Sequence, residues 1–409
     1  MRCLLTFLFS SLLFPLLAQE PEAPDEECTI GVASGKATAD GRPLLWKNRD
    51  SHHRDNVVMA LADGGKHAYF ALCDAGKPEF VWGGANGKGF AVVNAVARDL
   101  PQGADQGPGN GGFMKRALQQ CANVAEFEQL LRDTNDNGRR TRANFAVVDA
   151  HGAAAIFEAG HRTYTRFDAA AGKGGLLLRT NFAVTGSGER GKERCERATA
   201  LCNSAAALPL TPRFLLQQLL RDVQPPANAA KGAAGLLDVR ETIHRQTTVA
   251  ALVVHGVKSG EDPSLLTMWS LLGQPLFTVA VPLWPAAGTV PRELSGTPRS
   301  DLCEASCRLQ DAMYDSAPSA AEAGEEAAEA EASGPIRWLR SEPMAHVRRA
   351  LLFHEAKVLG DYESSFARFR AAGKAPPAVL RAAQEGIARD ALKWVREQAD
   401  QHAAAPAGK

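Results

Sequence analysis

The sequence has no charge imbalance: 46 Lys and Arg stand against 46 Asp and Glu in 409 residues. A chain without a basic surplus lacks the electrostatic footprint of a nucleic-acid binder, so no nucleic-acid partner is expected. Past the first 18 residues no run approaches the ~20 apolar residues that a helix needs to cross a bilayer. No stable span is therefore expected in a mature chain. Eight cysteines occur, but no pair of CxxC motifs and no CxxC with paired histidines. The spacing of a zinc site is missing, and no metal is expected. "GGANGKG" and "GNGG" are glycine-rich, yet neither lies between a strand and a helix as a phosphate loop does. No cofactor is expected.

What is present starts at the N-terminus. "MRCLLTFLFSSLLFPLLAQE" has a basic residue at Arg2, an apolar run over Cys3–Leu17 and a small residue at Ala18. This order predicts a signal peptide over residues 1–18 and a secreted or periplasmic protein. Residues 19–27 then read as a short propeptide. In an exported chain Cys73, Cys121, Cys195, Cys202, Cys303 and Cys307 are candidates for disulfides or plain buried thiols, with a connectivity that sequence does not fix. Cys303 and Cys307 are four apart in a helical pattern, a spacing that would put them on the same side.

From Cys28 to about Pro285 the pattern is mostly of strands. "CTIGVAS" and "RPLLWKN" predict a hairpin whose turn carries Asp40-Gly41. "NVVMALA", "HAYFALCD", "EFVWGGAN" and "GFAVVNAVA" follow, then a second hairpin, "RANFAVVDAHGAAAIFEAG", turning at Asp149–Gly152. "TYTRFD", "GLLLRTNFAV", "TTVAALVVHG", "LLTMWSLLG" and "LFTVAVPLW" complete the strands. Helical spacing appears in "GGFMKRALQQCANVAEFEQLLRD", where Asn123 and Glu126 make a capping box, and again in "ERGKERCERATALCNSAA" and "TPRFLLQQLLRDV". The order predicts an α+β fold of layered antiparallel sheets. A catalytic domain is expected over 28–300, a linker over 301–334 with an Ala/Glu/Ser-rich run from Ser316 to Gly334, and a helical appendage over 335–409.

The chemistry centres on Cys28. If the chain is cut after Glu27, this one residue carries a thiol and a free α-amine. The amine's ordinary pKa of about 7.7–8.0 suits it to take the thiol proton near neutrality. The hairpin brings the end of the second strand back beside Cys28. There Lys47 would favour the thiolate and Asp50 would hold the ammonium. Other residues have duller readings: His52 and His53 as a loop pair, His244 and His255 as structural.

"CTIGVASGKATADGRPLLWKNRD" resembles the start of the mature chain in N-terminal-nucleophile hydrolases of the choloylglycine hydrolase and isopenicillin N acyltransferase superfamily, the linear amide C–N hydrolases. Cys28 then stands at the nucleophile, Asp50 at the family's Asp, and Lys47 where choloylglycine hydrolases usually have Arg. "NGKGFAVVNAVA" resembles a later strand and makes Asn94 a candidate for substrate or oxyanion binding. "LLLRTNFAV" puts Asn181 at the oxyanion donor. "ERCERATAL" puts Arg194 at the active-site Arg, with Arg197 as the competing neighbour. The resemblance implies a four-layer αββα sandwich with two antiparallel sheets. It implies cleavage of a small-molecule linear amide through a thioester, with acyl transfer to an amine as an alternative. The reading from another class is a non-catalytic exported binding protein that keeps the fold.

Overall fold

The apolar runs sort into two sheets. The computed structural model describes residues 27–103, 107–225, 235–316 and 337–403; the signal-peptide reading and most of the propeptide lie outside them. One sheet has six antiparallel strands in the order β10 (Leu176–Arg179), β1 (Cys28–Ala33), β2 (Leu44–Asp50), β12 (Thr248–His255), β13 (Thr267–Leu272) and β14 (Val281–Leu283). The other is a seven-stranded meander: β3 (Asn56–Leu61), β4 (Tyr69–Asp74), β5 (Gly83–Asn86), β6 (Ala91–Val96), β7 (Ala143–Val148), β8 (Ala154–Ala159) and β9 (Tyr164–Asp168). β1, β2 and β12 are buried along their whole length. Such strands have both faces covered, so they read as continuous apolar runs rather than alternating ones.

The meander shows the alternation of a two-faced sheet. Val58, Leu72, Val93, Ala146 and Ile156 pack toward the six-stranded sheet with Ile30, Val32 and Leu45. Their neighbours Val57, Ala71, Val92, Phe145 and Phe157 turn the other way, onto α1 (Asn110–Gln120) and α2 (Val124–Asn135). Phe127 of α2 sits among four rings, with centroids 5.2–6.0 Å away. The expected cap is formed: Asn123 accepts from the Glu126 N–H at 2.9 Å, and Glu126 accepts from the Ala122 N–H at 2.7 Å. The hairpin turn at Asp149–Gly152 also forms, with Gly152 at φ 81°.

The outer face of the six-stranded sheet carries α3 (Lys192–Cys202), α4 (Pro212–Gln217) and α5 (Asp301–Asp311), with α6 (Ser341–Ala371) and α7 (Pro377–Ala403). The architecture is thus α, β, β, α in four layers, as expected. The segment read as a linker differs in its first part. Residues 301–311 are helical because Leu302, Cys303, Ala305 and Leu309 make an apolar face that is fully buried. Strand β15 (Tyr314–Ser316) follows and pairs with β16 (Arg337–Arg340), which also pairs with β11 (Leu236–Leu237). The remainder of the linker, 317–334, lies outside the described residues. α6 and α7 are joined to the main core through Leu351, Val358, Leu359, Tyr362, Phe366, Leu380 and Val395.

Candidate active site

Cys28 is the first residue of β1 and is 2% exposed. It pairs across the sheet with Arg49, and Ile30 pairs with Lys47. Opposed residues share a face, so Cys28, Lys47 and Arg49 all look toward the seven-stranded sheet. That sheet supplies partners for both cations. Lys47 Nζ donates to the Trp82 carbonyl at 2.9 Å and to Asn94 Oδ1 at 2.8 Å. Arg49 pairs with Asp74 at 3.0 Å and lies over the Trp82 ring at 4.6 Å. Lys47 therefore turns the carbonyl end of Asn94 toward itself, and Asn94 joins the Cys28 face through that contact.

The peptide ahead of Cys28 is held at both ends. The Glu27 carbonyl accepts from the Asp50 N–H at 2.9 Å. The Cys28 N–H donates to Asn181 Oδ1 at 3.0 Å. Asn181 follows β10 and also donates from Nδ2 to the Val96 carbonyl at 3.0 Å. In this state, then, the residue read as an oxyanion donor presents its carbonyl oxygen to the Cys28 nitrogen.

Three guanidiniums surround the Glu27 carboxylate: Arg190 at 2.7 Å, Arg194 at 2.5 Å and Arg245 at 2.7 Å. Burial opposes its ionisation, but Arg245, Arg194 and Arg190 together hold its pKa below the ordinary value. Arg194 is fully buried on α3. Its other bonds run to Asn181 Oδ1 at 3.0 Å, Thr29 Oγ1 at 3.2 Å and the Cys28 carbonyl at 3.4 Å. The fold makes room for it at Gly191, the N-cap of α3, which has φ 76°. A Cβ there would sit 2.5 Å from Arg194 Nη2. Arg197 instead pairs with Asp222 at 2.7 Å on the partly exposed side, so Arg194 is the α3 arginine that meets Cys28.

Asp50 ends β2 with no exposed surface. Its Oδ1 accepts from Thr248 Oγ1 at 2.6 Å, and its Oδ2 lies 3.7 Å from Arg245 Nη1. Thr248 is re-aimed by a bulge: it pairs with Asp50 while Ala250 pairs with Arg49. Bulges beside a site commonly redirect one side chain in this way. Burial pushes the Asp50 pKa up to about 6, against the pull of Arg245 and Arg194. Arg245 is held further protonated: burial works against its charge, but Glu27, Asp50, Glu241 and the Cys28 thiol outweigh it.

The six candidates thus fall into two linked groups: Cys28, Asp50, Asn181 and Arg194 around the Glu27–Cys28 peptide, and Lys47 with Asn94 between the sheets. Sequence reasoning missed Glu27 as a bound group, and missed Arg190, Arg245 and Thr248. The available signal for Arg245 was indirect: a buried Asp50 needs a cation, and "HRQTT" sits just ahead of a strand. Only the β2–β12 pairing connects the two. His52 and His53 are exposed in the loop after β2. His244 is buried and contacts Gln274 at 3.3 Å, with burial driving its pKa down to about 3. His255 pairs with Asp40 at 2.9 Å. None of the seven described cysteines is in a disulfide, and among the described residues no cluster of His, Cys, Asp or Glu is arranged to hold a metal.

The model of the acyl-coenzyme A:6-aminopenicillanic acid acyl-transferase family matches residues 37–198. No curated protein matches the chain. Similar solved structures include penicillin V acylase from Agrobacterium tumefaciens, at 14% identity and TM-score 0.39, over 63% of this chain and 85% of that one. Another is the Caenorhabditis elegans N-acylethanolamine-hydrolyzing acid amidase ortholog, at 14% identity and TM-score 0.39, over 56% and 92%. A third is a mutant of conjugated bile acid hydrolase from Clostridium perfringens, at 12% identity and TM-score 0.37, over 60% and 89%. Residues 37–198 are thus similar to the acyl-coenzyme A:6-aminopenicillanic acid acyl-transferase family, within a chain whose own strands form two antiparallel sheets layered between helices.

Proposed function

We propose that the protein is an exported amide hydrolase that cleaves its own chain before Cys28 and then uses Cys28 as nucleophile and base. One observation carries the reading: the Glu27–Cys28 peptide has its oxygen on the Asp50 N–H at 2.9 Å and its nitrogen on Asn181 at 3.0 Å, beside its own thiol. In the first stage Cys28 Sγ bonds to the Glu27 carbonyl carbon. The C–N bond breaks, and the thiol proton goes to the departing Cys28 nitrogen. The Asp50 N–H stays on the oxygen as charge develops, and one such donor is worth about 3 kcal/mol. Water then attacks the thioester, releasing the upstream peptide as an acid and restoring the thiol.

The second stage repeats the chemistry on a substrate. The new α-amine takes the thiol proton, and sulfur attacks the amide carbonyl. The amine returns the proton to the leaving nitrogen, and water frees the acyl group. Asn181 Oδ1 and Asp50 hold the amine. The Asp50 N–H, vacated by Glu27, receives the oxyanion, and the cations of β2 favour the thiolate. An amine entering in place of water would make the same site an acyltransferase; outside the cell, water is the abundant acceptor. The test is Cys28→Ser, assayed for chain cleavage and for hydrolysis of a panel of N-acyl amides. Wild-type levels of both in the variant would refute the reading.

A further inference from the structure

We propose, resting on the self-cleavage reading above, that the arginine cage vacated by Glu27 is an anion subsite, and that the preferred substrates are amides of five-carbon dicarboxylic acids. During self-cleavage Glu27 is itself the acyl group: its carbonyl carbon joins Cys28 Sγ and its oxygen lies on the Asp50 N–H. A substrate acyl group must place its carbonyl on the same sulfur and the same N–H. Its chain then leaves along the path that the glutamate chain takes. Three carbons separate the glutamate carboxylate from its carbonyl carbon, and Arg190, Arg194 and Arg245 hold that carboxylate at 2.5–2.7 Å.

The charge count gives the cage its demand. With Glu27 in place, three guanidiniums face Glu27, Asp50 and Glu241, the last 3.6 Å from Arg245. Loss of Glu27 leaves three cations against two carboxylates, and the new α-amine adds to the positive side. Arg194 has no exposed surface and Arg245 only 13%. Water therefore replaces the lost anion poorly, and a buried cation without a counter-charge is costly. A glutaryl group restores the count and accepts charge-assisted hydrogen bonds from planar guanidiniums. A pentanoyl group of the same length restores nothing.

The experiment compares glutaryl- and pentanoyl-p-nitroanilide on the processed protein, with glutarate and pentanoate binding measured by calorimetry. The glutaryl substrate is expected to have the higher kcat/KM, and glutarate the tighter Kd, each by at least about tenfold. Arg190→Met, at the rim of the cage, is expected to lower the glutaryl-to-pentanoyl ratio at least about fivefold. Equal or reversed preference in a chain that has been cut before Cys28 overturns the subsite and leaves self-cleavage standing. A chain that intact mass shows uncut at Cys28 overturns both. If the processed chain cleaves neither anilide, the two acids still decide: equal Kd values reject the subsite.

Discussion

Two arginine clusters lie on the outer side of the six-stranded sheet, one fully buried and the other open to solvent at Arg190, and they differ in how completely they are satisfied. Arg221 pairs with Glu355 of α6, and neither side chain is exposed. Its Nε donates to the Pro275 carbonyl, its Nη1 to Leu216 and Glu355, and its Nη2 to Thr278 and Glu355. Glu355 also accepts from the Ala280 N–H. Every donor of that guanidinium has an acceptor, and each partner belongs to a permanent part of the fold. Around Glu27, by contrast, three guanidiniums share one carboxylate, and that carboxylate belongs to the residue that the proposed self-cleavage would remove. A closed pair is a clamp. On the proposed reading, the Glu27 cluster would be left short of one anion and would take another in exchange.

The contrast can be broken at either end. Glu355→Ala leaves Arg221 buried and unpaired. It should lower stability by about 3–5 kcal/mol in denaturant unfolding, with α6 loosened from the sheet. A loss under about 1 kcal/mol would show that the clamp contributes little.

The next largest effect is in pH dependence. Asp50 is raised by burial to about 6 from an ordinary 3.8. Below its unfolded pKa both states hold the proton, so no stability is lost there. As pH rises toward about 6 the unfolded state ionises first, and the native state loses up to about 3 kcal/mol. Asp50→Asn removes that slope. Made on an uncut Cys28→Ala background, the Asn variant should gain on its parent between about pH 4 and about pH 6.5, as unfolding free energies will report. Parallel curves would place the Asp50 pKa at its ordinary value.

Glu27→Gln should act more gently on stability, by about 1–2 kcal/mol, because under the proposed self-cleavage the cage survives loss of this carboxylate. Its effect should fall on processing instead, with slower appearance of the Cys28 N-terminus in a time course by mass spectrometry. A stability loss as large as that of Glu355→Ala would erase the distinction between the two clusters. A stability effect of the same size, with no effect on processing beside it, is expected from Thr248→Val, which removes one hydrogen bond from a buried carboxylate and should cost about 1–2 kcal/mol in thermal unfolding.

Local chemistry carried the legible part of the fold and site. The β1–β2 hairpin could be read because Asp40-Gly41 marks the turn and apolar runs flank it, and this already put Asp50 near Cys28. The α2 cap could be read because Asn123 and Glu126 are three apart. The four layers came from the family resemblance rather than from periodicity, since β1, β2 and β12 are buried on both faces and lose the alternation that distinguishes strands. What remained hidden is non-local. Arg245 and Thr248 reach Asp50 only through the β2–β12 pairing and its bulge, and no spacing within 198 residues announces either. Glu27 read as spacer because an acidic residue in an acidic run carries no sign of burial. The start of the supposed linker reads with the low-complexity run that follows it, although residues 301–311 carry an apolar face of their own.

The central claim, that Cys28 cuts the chain ahead of itself, is tested most directly by the intact mass of the purified protein beside its Cys28→Ala variant. The account predicts a wild-type chain beginning at Cys28 and a variant that retains Glu27. Wild-type protein that keeps Glu27 while hydrolysing amides, or a variant cut at the same bond, would contradict it.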